Sequence, residues 1–332
     1  MNRIPQTAPE IAALDNGIAR VSWSVMIPVF NCSQYLPEAL ESVLMQDMGT
    51  EHMQIEVVDD WSTDINVEEL VQRIGKGRVG YFKQKENVGS LRNFETCINR
   101  SRGNYIHLLH GDDKVKPGFY EIMKSLFDMF PEAGAAFCAW DHINERSEII
   151  KTSKTYCENE GIFENCLKTL LREQVTQYAS TVVQRRIYEK LGGFYGVKYG
   201  EDWIMWARIA QSYPVVYTPK VLAEYREHST SISGLSFLNG DNFRDVNTVS
   251  QIISSCLTAK QRTETKNVIR RNYTLWMLGR SYEVWEESRN NGIFFRQLKY
   301  LLYGHLDFKI LIIIAKFWLI ALAYPLKRRL NF

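Results

Sequence analysis

Tyr105-Ile106-His107-Leu108-Leu109-His110-Gly111-Asp112-Asp113 is an apolar run that ends abruptly in adjacent carboxylates. It reads as a buried strand whose carboxyl end carries two negative charges that bury poorly unless something compensates them. In open α/β sheets, ligands sit at the carboxyl ends of strands. Two hard oxygen ligands placed there suit Mg²⁺ or Mn²⁺, and such cations usually bring substrate phosphates with them. Taken alone, Gly-Asp-Asp reads equally well as a polar turn. The rest of the chain has to decide.

Upstream lie three more short apolar runs, Ser22 to Pro28, Gln54 to Val58 and Val79 to Phe82. The stretches between them, Gln34 to Met48, Val67 to Ile74 and Ser90 to Ile98, carry helical spacing, as in Leu36, Ala39, Leu40, Val43 and Leu44. Strand and helix alternate four times, which predicts a parallel sheet with right-handed crossovers. The second strand also ends in paired acids, Asp59-Asp60. Two acidic strand ends facing one crevice would let one pair hold the base or ribose of a nucleotide and the other a cation on its diphosphate. There is no Gly-x-Gly-x-x-Gly fingerprint and no Gly-x-x-x-x-Gly-Lys-Ser/Thr loop, so neither a dinucleotide dehydrogenase nor a P-loop nucleotidase is supported.

Downstream the alternation loosens. A helix from Pro117 to Phe130, a strand at Ala135 to Ala139 and a polar, irregular stretch over 141–160 are expected. A helix at Phe163 to Leu171, an apolar Thr181-Val182-Val183, a helix from Asp202 to Gln211 and strands at Val215 to Tyr217 and Val221 to Tyr225 follow. Beyond Gly234 to Gly240 the pattern is helical.

The chain of 332 residues has a net charge of only +2. From Asp241 onward there are 15 Lys and Arg against 7 Asp and Glu, a surplus of +8 that leaves −6 before it. A basic rear suggests an anionic surface as its partner. Cys32, Cys97, Cys138, Cys157, Cys166 and Cys256 are scattered, without metal spacing. This argues for a reducing compartment and against a disulfide framework or structural zinc. The first 20 residues lack the apolar core of a signal peptide, so nothing in them suggests export.

The ordered set of motifs resembles a family 2 glycosyltransferase with the GT-A fold, of the bacterial polysaccharide-biosynthesis type. The matching pieces are Ser24 to Asn31 (SVMIPVFN), Val57 to Asp64 (VVDDWSTD), Asn87 to Asn93 (NVGSLRN), Leu108 to Asp113 (LLHGDD), Gly192 to Phe194 (GGF), Gly200 to Trp203 (GEDW) and Tyr225 to His228 (YREH). Each is weak alone; the order is specific. The resemblance implies a Rossmann-like, mostly parallel sheet flanked by helices, with an α-helical C-terminal extension. It divides the chain into a loose leader (1–21), a catalytic domain (22–235, its halves 22–115 and 116–235 binding nucleotide and acceptor) and a basic helical tail (241–332).

The resemblance also assigns residues. Pro28, Val29 and Asn31 would line the nucleotide. Asp59 or Asp60 would contact its base. Asn87, Arg92 and Asn93 would lie near the donor sugar. Asp112 and Asp113 match the later positions of the metal-binding DxD motif. Asp202 would be the catalytic base with Glu201 in support, and His228 would help hold the metal or diphosphate. The implied cofactor is Mn²⁺ or Mg²⁺. The implied donor is a nucleotide-diphosphate sugar, of the UDP class, and the acceptor a glycan or polyprenyl-linked glycan at the cytoplasmic face of the cell membrane. No nucleic acid partner is expected.

Two positions depart from the family. His110 replaces the usual first acid; an imidazole can donate to a ribose hydroxyl or ligate a transition metal. Trp61 replaces a common glycine, so an ordinary backbone is expected there. The Gln-x-x-Arg-Trp motif of processive synthases is absent, which points to one sugar per encounter. The expected reaction is an inverting transfer during O-antigen or capsule assembly. The same fold acting on protein or glycolipid, and a non-catalytic sugar-nucleotide-binding or scaffolding relative, stay open. A sugar-1-phosphate nucleotidyltransferase would carry a Gly-rich loop where this chain has Pro-Val-Phe-Asn. Ile310 to Tyr324 is almost wholly apolar but shorter than the roughly 20 residues of a spanning helix. With Lys327-Arg328-Arg329 behind it, 308–330 reads as a helix lying in a membrane interface, or else packed on protein.

Overall fold

Strand β1 (Val21–Val29) is buried along nearly its whole length. A strand covered on both faces tolerates few polar side chains, which is why its sequence is a run rather than an alternation. It pairs in parallel with β2 (Met53–Asp59), after the crossover helix α1 (Leu36–Leu44). Helix α2 (Val67–Gly75) leads to β3 (Gly80–Lys83), and α3 (Ser90–Arg100) leads to β4 (Gly103–Leu108). Both new strands are parallel to their neighbours, in the order β3-β2-β1-β4. The computed structural model describes residues 2–15, 17–255, 257–288, 290–301 and 304–330.

The second half departs from a simple parallel sheet. It comprises β5 (Lys114–Val115), α4 (Phe119–Met129), β6 (Ala135–Ile143), β7 (Ile149–Thr152), β8 (Gly161–Ile162) and α5 (Cys166–Leu170). A short 3₁₀ turn at Tyr178–Ser180, β9 (Thr181–Gln184), α6 (Arg185–Leu191), α7 (Glu201–Ser212) and β10 (Val215–Arg226) complete it. Strand β9 runs antiparallel between β4 and β6, while β10 is parallel to β6. The sheet is therefore parallel in its first four strands and mixed beyond, in the order β3-β2-β1-β4-β9-β6-β10-β5. The two short strands expected at 215–225 are one strand with register irregularities between Thr218 and Ala223. The polar stretch 141–160 contains β7, a hairpin partner of β6.

Among its described residues the leader before Val21 has no regular secondary structure, yet it is held rather than loose. Ile11 is buried. The carbonyls of Pro5 and Pro9 accept from Gly196 N and Gly193 N at 2.9 and 2.8 Å. Arg185 reaches the Ala12 carbonyl at 3.0 Å. An apolar anchor and three accepted hydrogen bonds fix a segment whose sequence has no periodicity.

The contacts divide the chain into two units, Met1–Leu170 with Gln174–Ser231, and Leu171–Glu173 with Ile232–Phe332. The second is helical: α8 (Ile232–Asn239), α9 (Asp241–Ser254), α10 (Ala259–Ser288), α11 (Asn291–Leu301) and α12 (Phe308–Leu330). Its core is formed by Phe243, Met277, Leu278, Trp285, Leu298, Leu301 and Ile310, against which Ile313, Ile314 and Phe317 of α12 pack. Another face of α12 leaves Phe308, Leu311, Trp318 and Leu319 exposed. No helix among the described residues is long and apolar enough to cross a membrane. The side chains of Lys327, Arg328 and Arg329 lie outside the described residues, as does Cys256. The other five cysteines are free thiols.

Candidate functional site

The carboxyl ends of β1, β2 and β4 lie side by side: Asp60 N donates to Val29 O at 2.8 Å and Gly111 N to Pro28 O at 3.3 Å. Pro28 and Val29 thus act through their carbonyls, with side chains buried in the sheet. The turn after β4 passes so close to α1 and β1 that a Cβ at Gly111 would meet Cys32 Sγ at 2.9 Å and Val29 Cγ2 at 3.0 Å. Only glycine fits that approach. It brings His110, Asp112 and Asp113 together, with one ligand atom of each within 4.8 Å of the others.

Asp113 is buried, and its Oδ1 accepts from Arg226 N at 2.9 Å. Burial first, and then the charge of Asp112, push its carboxyl well above the usual range. Burial would also raise Asp112, but a hydrogen bond from His228 Nε2 at 3.0 Å and the nearby imidazoles outweigh it, so its carboxyl sits below the ordinary value. His228, the expected metal or diphosphate residue, therefore contacts Asp112, and its Nδ1 meets Thr230 Oγ1 at 2.9 Å. Arg226 organises the group. It is fully buried, donates to Asp112 O at 2.9 Å and Ser147 Oγ at 2.9 Å, and lies 4.5 Å over the Tyr35 ring.

His110 stacks on Phe94 and leans on Tyr178, with centroids 5.1 and 4.4 Å away. Its Nε2 is buried without a hydrogen-bond partner. Two adjacent carboxylates, one of them raised by burial and by its neighbour's charge, beside an imidazole nitrogen with no partner, fit a divalent cation. Oxygen ligands alone would suit Mg²⁺; a nitrogen in the set suits Mn²⁺ as well.

At the end of β2 the two candidate acids serve the protein's own loops. Asp59 is fully buried, accepting from Ser62 N at 2.8 Å and Tyr81 OH at 2.8 Å. Asp60 binds Val88 N at 2.7 Å, Gly89 N at 2.9 Å and Asn87 Nδ2 at 3.0 Å, and so shapes the Asn87–Gly89 turn. Burial raises the Asp60 carboxyl despite these bonds. Asn31, with φ of +50°, accepts from Thr63 N at 2.8 Å and ties the β1 and β2 ends together. Trp61 corrects an expectation: its φ is +66°, the left-handed conformation that the family's glycine would adopt freely. The turn is dictated by Asp59 reaching Ser62 N and by Asn31 N reaching Ser62 Oγ at 3.0 Å. The indole is 44% exposed and lies 5.1 Å from the Lys83 ammonium.

Asn93 and Arg92 are engaged elsewhere. Asn93 is buried between α3 and β2, donating to Val58 O at 2.9 Å and accepting from Gln84. Arg92 pairs with Glu95 at 2.6 Å and with Asn2 O at 3.0 Å. Asn87 stays at the end of β2, donating to Asp60 and accepting from Arg3 of the leader.

Asp202 lies in the first turn of α7, behind Gly200 with φ of +88°. It is 5% exposed. Burial pushes its carboxyl up to about 7, against the opposing hydrogen bonds from Trp203 N and Gln174. Glu201 accepts from Tyr178 OH at 3.1 Å, and the Tyr178 ring touches His110. Tyr178 thus links the α7 acids to the cluster after β4. No motif marked Tyr178 or Gln174, and although Arg226 lies within the YREH piece, its organising role was not legible there, because the partners of all three are distant in sequence. Trp203 packs the helix, its indole donating to Leu170 O at 2.7 Å. His107 is a core histidine between Ala179 O and Tyr120.

A mixed sheet of this order, with an acidic cluster at its carboxyl edge, defines a GT-A-type protein. The chain belongs to the family described as Glycosyl transferase family 2, whose profile matches residues 24–192. It is 36% identical over 109 residues to the minor teichoic acid biosynthesis protein GgaB of Bacillus subtilis, covering 32% of this chain and 12% of that protein. The chain spans between 12% and 60% of three curated relatives it matches. Among solved structures it resembles S. aureus TarS 1–349 in complex with UDP-GlcNAc, at a TM-score of 0.63 and 12% identity over 86% of this chain and 82% of that one. It also resembles the mannosyltransferase PcManGT of Pyrobaculum calidifontis in complex with GDP-Man and Mn²⁺, at a TM-score of 0.57 and 16% identity, covering 97% and 85%. At these identities the structural likeness concerns the fold.

Proposed function

We propose that this chain is an inverting glycosyltransferase that moves one sugar per encounter from a nucleotide-diphosphate sugar to a hydroxyl of a glycan or lipid-linked acceptor. The observation that carries the reading is the pairing of a cation-suited cluster (His110, Asp112, Asp113) with a buried carboxyl near neutrality (Asp202), joined through Tyr178 and Glu201. The UDP-GlcNAc of the TarS complex supports a UDP-sugar as donor, and the kinship with GgaB supports a surface-polymer acceptor.

Asp112 and Asp113 would hold Mn²⁺ or Mg²⁺, with His110 beside them and His228 orienting Asp112. The cation supplies counter-charge for a leaving diphosphate. Asn87 and the Asp60-shaped turn would border the donor. Asp202 would take the acceptor proton, and a buried carboxyl poised near 7 suits that task. Inversion follows from a single in-line displacement. The exposed apolar face of α12 would rest on the cytoplasmic face of a membrane where such acceptors lie.

Thermal unfolding with a panel of nucleotide diphosphates, each with Mn²⁺, Mg²⁺ or chelator, tests this. A ligand at a hundred times its Kd stabilises the folded state by about 2.7 kcal/mol. UDP should raise the melting temperature only with a divalent cation, and Asp113→Ala should abolish that rise. No shift with any nucleotide at millimolar concentration would sink the proposal.

A further inference from the structure

The basic helical unit holds a feature that the reaction leaves unused. A cleft of about 300 Å³ opens between α9 and α10, lined among others by Ser250, Gln251, Lys266, Asn267 and Arg270. Lys266 and Arg270 are one turn apart on α10, so they present their charges to the same cleft. No carboxylate lines it among the described residues. Lys266 has no ion-pair partner there either. Arg270 gives one terminal nitrogen to Gly304 O at 3.1 Å, and its Nε is buried without an acceptor. Gln251 and Asn267 add amide donors from the two facing helices.

We infer that this cleft binds the phosphate group of an organic phosphate. Two cations with no carboxylate among the described lining residues exclude a cationic ligand, and an unpaired ammonium one turn from a guanidinium calls for an oxyanion. Donors arriving from two helices suit a group with several oxygens rather than a flat carboxylate. The volume leaves room for a small polyol body beside the phosphate. The source is either a soluble phosphate ester or a lipid headgroup, which share this chemistry.

Titration calorimetry of the full chain with glycerol 1-phosphate at constant ionic strength is one arm; cosedimentation with phosphatidylglycerol vesicles is the other. Lys266→Gln should weaken binding at least about tenfold, the loss of one charge-assisted hydrogen bond. Lys266 bonds no other described side chain, and an unchanged melting temperature without ligand confirms that the variant folds. Arg244→Gln is the control: it removes an equal charge from α9 at a side chain 82% exposed, paired with Asp241 and outside the cleft. Sensitivity to Lys266→Gln in the soluble arm assigns a soluble ester, and in the vesicle arm alone a lipid headgroup. The inference fails if Lys266→Gln binds like wild type in both arms, or if Arg244→Gln weakens binding equally.

Discussion

Replacing Asp202 by Asn should lower activity and raise stability at alkaline pH. The Asp202 carboxyl sits at about 7 in the fold, against an ordinary value of 3.8. The native state therefore holds a proton that the unfolded chain releases, and stability falls as pH rises from the unfolded value through the folded one. One pKa unit is worth about 1.4 kcal/mol, so wild type should lose about 2 to 3 kcal/mol between pH 5 and pH 8 through this group alone. Asn carries no ionisable proton and removes that slope. It also disturbs the bond from Gln174 to Oδ2, at a cost of about 1 kcal/mol. Near pH 4 the variant should be slightly weaker than wild type; from pH 5 upward it should be the more stable of the two, with the gap widest at pH 8. Transfer of sugar should fall by about 10² to 10⁴, the usual contribution of a positioned general base. Wild-type kcat/KM should rise through pH 7 as Asp202 ionises. Urea unfolding at pH 5 and 8, with sugar transfer assayed beside it, decides the matter. Parallel pH slopes for the two proteins would refute the burial argument, and undiminished transfer by the variant would refute the role of base.

Trp61→Gly should stabilise the fold by about 1 kcal/mol, because relief of the left-handed backbone outweighs the lost contact with Lys83; a lower urea midpoint would contradict this. Gly111→Ala should cost about 1 to 3 kcal/mol and weaken nucleotide-linked stabilisation, since the added methyl displaces Cys32 and Val29 from the turn that sets Asp112 and Asp113. Thermal unfolding with and without UDP and Mn²⁺ reads both effects.

Much of the first half was legible from sequence. The alternation of apolar runs with helically spaced stretches placed β1 to β4 and their crossovers, because a strand buried on both faces leaves an apolar run. The reversal at β9 was not legible: Thr181-Val182-Val183 is equally apolar whether it runs with or against its neighbours. The expectation for Trp61 failed for a related reason. Residue type gives only a preference for backbone conformation, and at this turn the bonds of Asp59, Asn31 and Ser62 override it.

By itself the sequence determined where charge gathers: two acidic strand ends, a Glu-Asp pair opening a helix and a basic rear. Periodicity and composition are local, and they suffice for that. Tertiary structure alone decided which of those acids remain available. It spent Asp59 on Ser62 and Tyr81, and Asp60 on the Asn87–Gly89 turn. It buried Asp202 beside Gln174, 28 residues away, and set Tyr178 between Glu201 and His110. A carboxylate's chemistry depends on its desolvation and its hydrogen-bond donors, and in a folded chain those donors come from residues that the local sequence does not name.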